Sequence, residues 1–326
     1  MIGIRHESTT GDTHARIYIE GLERDLRILH LSDSHLTEAD DRDPDVLPYA
    51  QQSRARFDER TPEGQTTREV FERTISDARE QGIDAAVLTG DIIHFPAWAG
   101  IECLERGIKD LGVPALFTSG NHDWHFPYLE WSDAVRQSHY PRLQGLTGGN
   151  PACQSVDIGG VRLVTLDNST YQVSDEQVSF LRSELGTGQP CLLFVHIPIW
   201  TEALLPGVMD SWKAPIMMCA VDDWTEETRS RWKVPGNDPS TVELYELLTQ
   251  GESLNLAGIF CGHVHFGHAG LYREGRWQYV ARPGFSGGYR IIELLAVQSK
   301  EDQPGTADPP YRTTRSCDVA LERAFL

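Results

Sequence analysis

The sequence predicts an α/β fold, and three observations carry the prediction. Short apolar segments alternate with helix-like ones through the first half: "LRILHLSDSH" (26–35), "IDAAVLTGD" (83–91) and "VPALFTSGNHD" (113–123) are separated by amphipathic stretches. The second half is richer in strand-like runs. The apolar segments also end, time after time, in polar clusters. Apolar runs bounded by turn residues and spaced by helical patterns indicate parallel strands buried on both faces, with crossover helices. In open sheets of this kind, ligands gather at the carboxyl ends of the strands.

The elements follow in order. After the first strand, residues 36–62 are acidic and carry Pro44, Pro48 and Pro62, so no regular element is expected there. In "EGQTTREVFERTISDAREQG" (63–82), Val70, Phe71, Ile75 and Ala78 fall near helical spacing and Gly82 is a stop. "AGIECLERGIKDLG" (99–112) reads as a second helix, again ending in glycine. "CQSVDIGGVRLVTLDNS" (153–169) reads as two strands joined by a tight Gly-Gly turn. Ser174 and Gln177 form a capping-box pattern at the start of the next helix. "CLLFVHIPI" (191–199) is a buried strand, and "STVELYELLTQG" (240–251) a helix capped by Ser240. "LAGIFCGHVHFG" (256–267) is a strand meeting a histidine pair, and residues 268–297 read as antiparallel closing strands. One domain over 1–298 is expected, with insertions near 36–62 and 200–239 and a loosely packed tail over 299–326.

Composition narrows the function. Twenty-nine basic residues against 48 acidic ones give a net charge of −19, which repels polyanions and excludes broad binding to duplex nucleic acid. A small phosphate-bearing substrate is compatible, because a local cationic site outweighs the global field at short range. The six cysteines are scattered and read as reduced core residues. No apolar run suits a signal core or a membrane span, so a cytoplasmic protein with no membrane partner is the expectation. Oligomeric state is not legible.

Five polar clusters follow apolar runs: Asp33 and His35 in "SDSH"; Asp91 in "TGD"; Asn121, His122 and Asp123 in "GNHD"; His196 in "FVHIP"; His263 and His265 in "CGHVHFG". Each has an ordinary reading alone. Asp33 is a strand-end cap, "TGD" a common strand exit, His196 a satisfied core histidine. Two inward histidines at one strand end are costlier to leave without a partner. Asp and His two apart in extended chain point to one side and can chelate one ion. Mixed imidazole and carboxylate donors suit Mn, Fe, Zn or Co better than Mg or Ca.

The ordered set "D-S-H … G-D … G-N-H-D … H … G-H-V-H", running roughly from Arg27 to Gly267, resembles the calcineurin-like metallophosphoesterase superfamily. The resemblance implies a four-layered α/β/β/α sandwich of two mixed sheets flanked by helices. It implies two divalent metal ions. Asp33, His35 and His265 would hold the first, Asn121, His196 and His263 the second, and Asp91 would bridge them. A hydroxide shared by the metals would attack phosphorus in line. His122 would face the substrate, stabilising charge or donating the leaving-group proton, with Asp123 orienting it. The implied activity is metal-dependent phosphoester hydrolysis of a small substrate, with a phosphodiesterase expected. A phosphomonoesterase on the same site, a non-catalytic scaffold of the same fold and a hydrolase of non-phosphate esters are the alternatives.

The chain departs from the family pattern at three places. His94 stands where many phosphodiesterase members carry Asp, and reads as an outer hydrogen bonder or a substrate contact. Ile197 follows His196 where cyclic-nucleotide phosphodiesterases often show a second histidine. Residues 200–239 hold four of the eight tryptophans, either as a substrate wall or as a packed excursion. Trp124 and His125, just past the catalytic run, are further candidates for substrate contact, with a packing role for Trp124 as the competing reading.

Overall fold

The computed structural model describes residues 2–7, 13–220, 223–251 and 255–297. Its frame is two six-stranded mixed sheets. The first runs β1 (Ile4–His6), β2 (His14–Glu20), β12 (Arg290–Val297), β3 (Leu26–Leu31), β4 (Ala85–Thr89), β5 (Ala115–Thr118). The second runs β10 (His268–Arg273), β11 (Arg276–Val280), β9 (Leu256–Cys261), β8 (Cys191–Phe194), β7 (Val161–Leu166), β6 (Cys153–Ile158). Strands β3, β4 and β5 are parallel, as are β7, β8 and β9.

Strand periodicity divides the apolar residues into separate layers. Ile17, Ile28 and Val87 from the first sheet meet Leu163, Phe194, Phe260 and Tyr279 from the second. Leu29, Leu31 and Leu88 point the other way, onto Phe71 and Ile75 of α2 (Thr67–Glu80) and Ile101 and Leu104 of α3 (Trp98–Leu111). Val164, Leu193 and Ile259 likewise meet Val178 and Leu181 of α5 (Asp175–Gly186) and Leu244 and Leu248 of α8 (Pro239–Thr249). Three apolar layers therefore hold four layers of structure, the expected α/β/β/α sandwich. Each fully buried Leu or Ile contributes roughly 1.5–3 kcal/mol. Buried Arg290 ties the two sheets together: its guanidinium donates to the carbonyls of His14 (2.8 Å) and Val280 (3.1 Å).

Capping chemistry starts the helices where the sequence places it. Thr66 with Glu69, and Ser174 with Gln177, form complete capping boxes, and Gly112 ends α3 in the left-handed region.

Several expectations need correcting. Residues 36–62 are not irregular: α1 (Leu47–Asp58) lies there, flanked by single 3₁₀ turns at Pro44–Val46 and Pro62–Gly64. It buries only Ala50 and Phe57, too few to mark a helical stripe, and its proline stands at the helix start, where an N–H is not required. Strands β1 and β2 were not anticipated, although "HARIYIE" alternates buried and exposed residues. The closing strands are not one antiparallel set. Strands β10 and β11 pair antiparallel, but β11 runs parallel to β9 and β12 crosses to the first sheet. The cap of α8 is Asp238; Ser240 sits inside the helix and donates to the Val173 carbonyl. The tail expected over 299–326 lies outside the described residues. Among the described residues Cys103, Cys153, Cys191 and Cys261 form no disulfide, and no helix is long and apolar enough to cross a membrane.

Candidate metal centre

The loops after β3, β4, β5, β8 and β9 converge at one end of the sandwich. Asp33 and His35 N–H groups donate to the carbonyls of Gly90 (3.0 Å) and Asp91 (2.9 Å), zipping two loops together. The Gly262 N–H donates to the His196 carbonyl (2.9 Å). Asp33, His35, Asp91, His263 and His265 all carry positive φ, between 47° and 73°. Non-glycine residues seldom adopt this region, and each costs of order 1–3 kcal/mol unless its surroundings enforce it. The pairs Asp33/His35 and His263/His265 are therefore not extended-strand chelates. Strands β3 and β9 stop at Leu31 and Cys261, and the strained turns that follow aim each side chain separately. Two glycines permit the convergence: a Cβ at Gly120 would collide with the Asp91 carboxylate, and one at Gly262 with Ser32 and Asp33.

The side chains assemble into adjoining clusters. Ligand atoms of Asp33, His35 and His265 lie within 4.8 Å of one another, and so do those of Asp91, His196 and His263. His35 Nε2 faces His265 Nε2 at 3.2 Å. His265 Nε2 lies 3.4 Å from Asp33 Oδ1. Asp91 Oδ2 stands between the clusters, 3.9 Å from His35 Nε2 and 3.3 Å from His196 Nε2. Its other oxygen accepts the His122 backbone N–H at 2.8 Å. One carboxylate oxygen, not two, is thus directed at both clusters. His263 parts from His265: its Nε2 bonds the Tyr171 hydroxyl at 2.8 Å, leaving Nδ1 available to an ion.

Whether these residues fit divalent ions is testable on the polar atoms themselves. Asn121 Oδ1 and His196 Nε2 are buried and have no hydrogen-bond partner. An unsatisfied buried polar atom costs about 1–3 kcal/mol, and both atoms can serve as electron-pair donors. His196 Nδ1 bonds the Thr89 carbonyl (2.7 Å), so the Nδ1 proton fixes Nε2 as the open lone pair. Burial holds His35 and His263 well below the ordinary imidazole range, keeping them neutral as ligands require. Burial also disfavours the charged form of Asp91, yet the surrounding His196, His122 and His35 hold it well below the carboxylate range. Burial lowers the His196 pKa, but the Asp91 carboxylate outweighs it and pushes it up to about 9, so an ion taking Nε2 displaces a proton there. The donor set fits two divalent cations of borderline character.

A family model, calcineurin-like phosphoesterase, matches residues 26–267. The chain belongs to the calcineurin-like phosphoesterase family. The family implies two divalent metals, consistent with the paired clusters. Among solved structures it is similar to a dimetal phosphatase from Danio rerio, at 13% identity and TM-score 0.52, over 84% of this chain and 94% of that one. It is also similar to the purple acid phosphatase PPD1 from yellow lupin seeds, at 14% identity and TM-score 0.49, over 84% of this chain and 47% of that one. At these identities the first likeness shows the fold alone. No curated protein sequence matches the chain.

Two roles expected from sequence in this phosphoesterase are corrected by its geometry. Asp123 does not orient the His122 ring. Its Oδ2 accepts the backbone N–H groups of Asp91 and Gly120, both at 2.6 Å, and its Oδ1 accepts that of Ile93 at 2.9 Å. It is a clasp between two ligand-bearing loops. Burial and the Asp91 charge push it up to about 8, against those N–H groups. Trp124 is not a substrate contact: it is fully buried and its Nε1 donates to Ser169 Oγ at 2.9 Å. Trp124→Phe should cost about 1–2 kcal/mol of stability through that lost bond, while the ratio of kcat/KM on large and small esters stays constant. A changed ratio would return the indole to the substrate path.

The remaining predicted residues do stand at the mouth. His94 stacks on His122 at 4.2 Å between ring centres, and its Nδ1 lies 3.0 Å from His35 Nδ1. His94, His122 and His125 line a cavity of about 260 Å³ with Tyr49 and Gln52 of α1. Asn121 and His125 line a second, of about 490 Å³, with Trp131 and Trp232. The segment 200–239 supplies both of its readings. Trp224 is buried, whereas Trp212 packs against His265 (5.5 Å) and Trp232 against His263 (5.9 Å), one indole on each cluster.

Sequence reasoning missed three contributors. Phe57 of α1 stacks on His35 at 4.5 Å. Asn168 accepts the N–H groups of His196 and Ile197 (3.1 and 3.0 Å) and donates to the Ile197 carbonyl (2.7 Å). Tyr171 bonds His263. The last two follow the strand exit "LDNS", a sixth polar cluster after an apolar run that the same rule would have found.

Proposed function

We propose that the protein is a metal-dependent phosphodiesterase. The observation carrying the diester reading is that the centre opens on two cavities, of about 490 and 260 Å³, which share His125 and are bordered by Asn121 and His122. A phosphodiester has two substituents to accommodate, a monoester one. In this reading Asp33, His35 and His265 would hold one ion and Asn121, His196 and His263 the other, with Asp91 directed at both clusters. When bound, such ions stabilise charge on phosphoryl oxygens and make water acidic enough to serve as nucleophile near neutral pH.

The chain's own residues do the rest. His122, anchored through its backbone to Asp91 and stacked on His94, presents its ring to the smaller cavity, where a ring N–H can donate to a phosphoryl or leaving oxygen. The Thr89 carbonyl fixes the tautomer of His196, and the Tyr171 hydroxyl holds the orientation of the His263 ring. Phe57, Trp212 and Trp232 cover the imidazoles and exclude water, which strengthens every charge interaction inside.

The test is turnover of bis-p-nitrophenyl phosphate against p-nitrophenyl phosphate by Mn-loaded protein. A kcat/KM for the diester at least about tenfold higher, roughly 1.4 kcal/mol of transition-state preference, is expected. Preference for the monoester would overturn the diesterase reading, and inertness to both would overturn the hydrolase reading.

A further inference from the structure

Resting on the diesterase reading, we propose that the larger cavity binds a second anionic group, carried on a ring-bearing substituent of the substrate. The cavity is lined by Arg231 and Lys233 from the end of α7 (Glu226–Trp232), by the indoles of Trp131 and Trp232, and by Asn121 of the centre itself. Arg229, one turn earlier, is committed to structure: its guanidinium donates to the carbonyls of Trp224 and Pro235. Arg231 and Lys233 make no ion pair or side-chain hydrogen bond among the described residues. Two uncommitted cations on one cavity wall are out of keeping with a chain of net charge −19. Glu130 is the one carboxylate on the same lining.

Lys233 adds a second argument. It ends α7 with φ 58°, a position where glycine relieves strain, yet a long cationic side chain stands there. The protein's global field repels a substrate carrying an extra negative charge, so accepting one needs cations placed where it lands. Arg231 supplies a planar fork and Lys233 a mobile point charge, a pair suited to phosphate or carboxylate. The indoles are held in place and offer flat faces for a ring. Trp131 packs on Trp124 at 4.5 Å, and Trp232 lies between Tyr171 and Trp212 at 6.0 and 6.2 Å.

The test uses the 4-nitrophenyl ester of thymidine 5′-phosphate, with and without a 3′-phosphate, on wild type and on R231Q/K233Q, both Mn-loaded. Wild type should prefer the 3′-phosphorylated ester by about tenfold in kcat/KM, the effect of one charge-assisted hydrogen bond, mainly through KM. In the variant the ratio should fall to about one, and because the ratio is internal to each protein, any general loss of activity cancels. No preference in wild type, or a preference kept by the variant, overturns the proposal. Bis-p-nitrophenyl phosphate separates the two readings: if wild type leaves it intact, the diesterase reading fails. Quenching of tryptophan fluorescence by thymidine 3′,5′-bisphosphate then decides the cavity alone. Quenching that the variant loses supports it, and quenching absent from wild type or retained by the variant overturns it.

Discussion

Asp91→Asn is expected to bind no more than one of the two metals and to lose phosphoester hydrolysis by about 10³-fold or more, given that even an outer partner of a metal ligand is worth about 10–100-fold. The reason lies in how the two oxygens of Asp91 are used. Oδ1 accepts the His122 N–H, and Oδ2 faces His35 and His196. An amide has one oxygen. If it stays with His122, the NH₂ group turns toward both clusters and displaces a cation. If it faces the clusters, the NH₂ group meets the His122 N–H and the His122 loop moves. Either way a negative charge is lost from the point nearest both sites. Metal content by elemental analysis, alongside diester kinetics, is the measurement. Two metals bound and normal turnover would remove Asp91 from the bridging position. Some stability should go as well: the imidazoles hold Asp91 well below the carboxylate range, so its charged form favours the fold, and the metal-free variant should melt lower than wild type. Metal content and turnover are therefore read well below the variant's melting temperature.

Asp123→Asn should lose stability as well as activity, by loosening loops and not by removing a ligand. Its carboxylate collects three backbone N–H groups from the loops that carry Asp91 and Asn121. Substitution leaves an amide donor facing at least one of those N–H groups. Each buried N–H left without an acceptor costs about 1–3 kcal/mol, so a loss of about 2–4 kcal/mol is expected. For a domain of this size that is a fall of roughly 5–10 °C in melting temperature. Calorimetry of the metal-free protein reads the stability directly. An Asn variant melting with wild type would mean that the loops hold without the clasp.

The contrast between these two carboxylates shows where reading the sequence succeeds. Polar clusters at strand exits were visible because strands end abruptly in chemistry that turns do not need. Their convergence followed from parallel strands sharing one end. The division of labour within a cluster was not visible. Asp123 looked like a partner for the adjacent His122, and only the loop path shows it reaching back to Asp91 and Ile93. The separation of His263 from His265 depends on φ values that non-glycine residues seldom adopt, so no pattern of spacing announces it. Helix α1 stayed hidden for another reason. Phe57 is its main anchor, and that ring packs on His35 instead of on a helical neighbour.

The path of β12 bears on how the chain reaches this structure at all. Residues 290–297 sit between β2 and β3, pairing His14 through Glu20 on one side and Leu26 through His30 on the other. Strands β2 and β3 are joined by a short connection, yet they cannot pair with each other. On a ribosome, the facing edges of both remain open until nearly 300 residues have been made. Such long-range closure is slow, and open strand edges invite pairing with other chains in the interval. The loop that carries Asp33 and His35 leaves β3, whose second neighbour is supplied only by this last strand. A chain stalled before residue 290 therefore carries every candidate ligand with the strand between β2 and β3 missing.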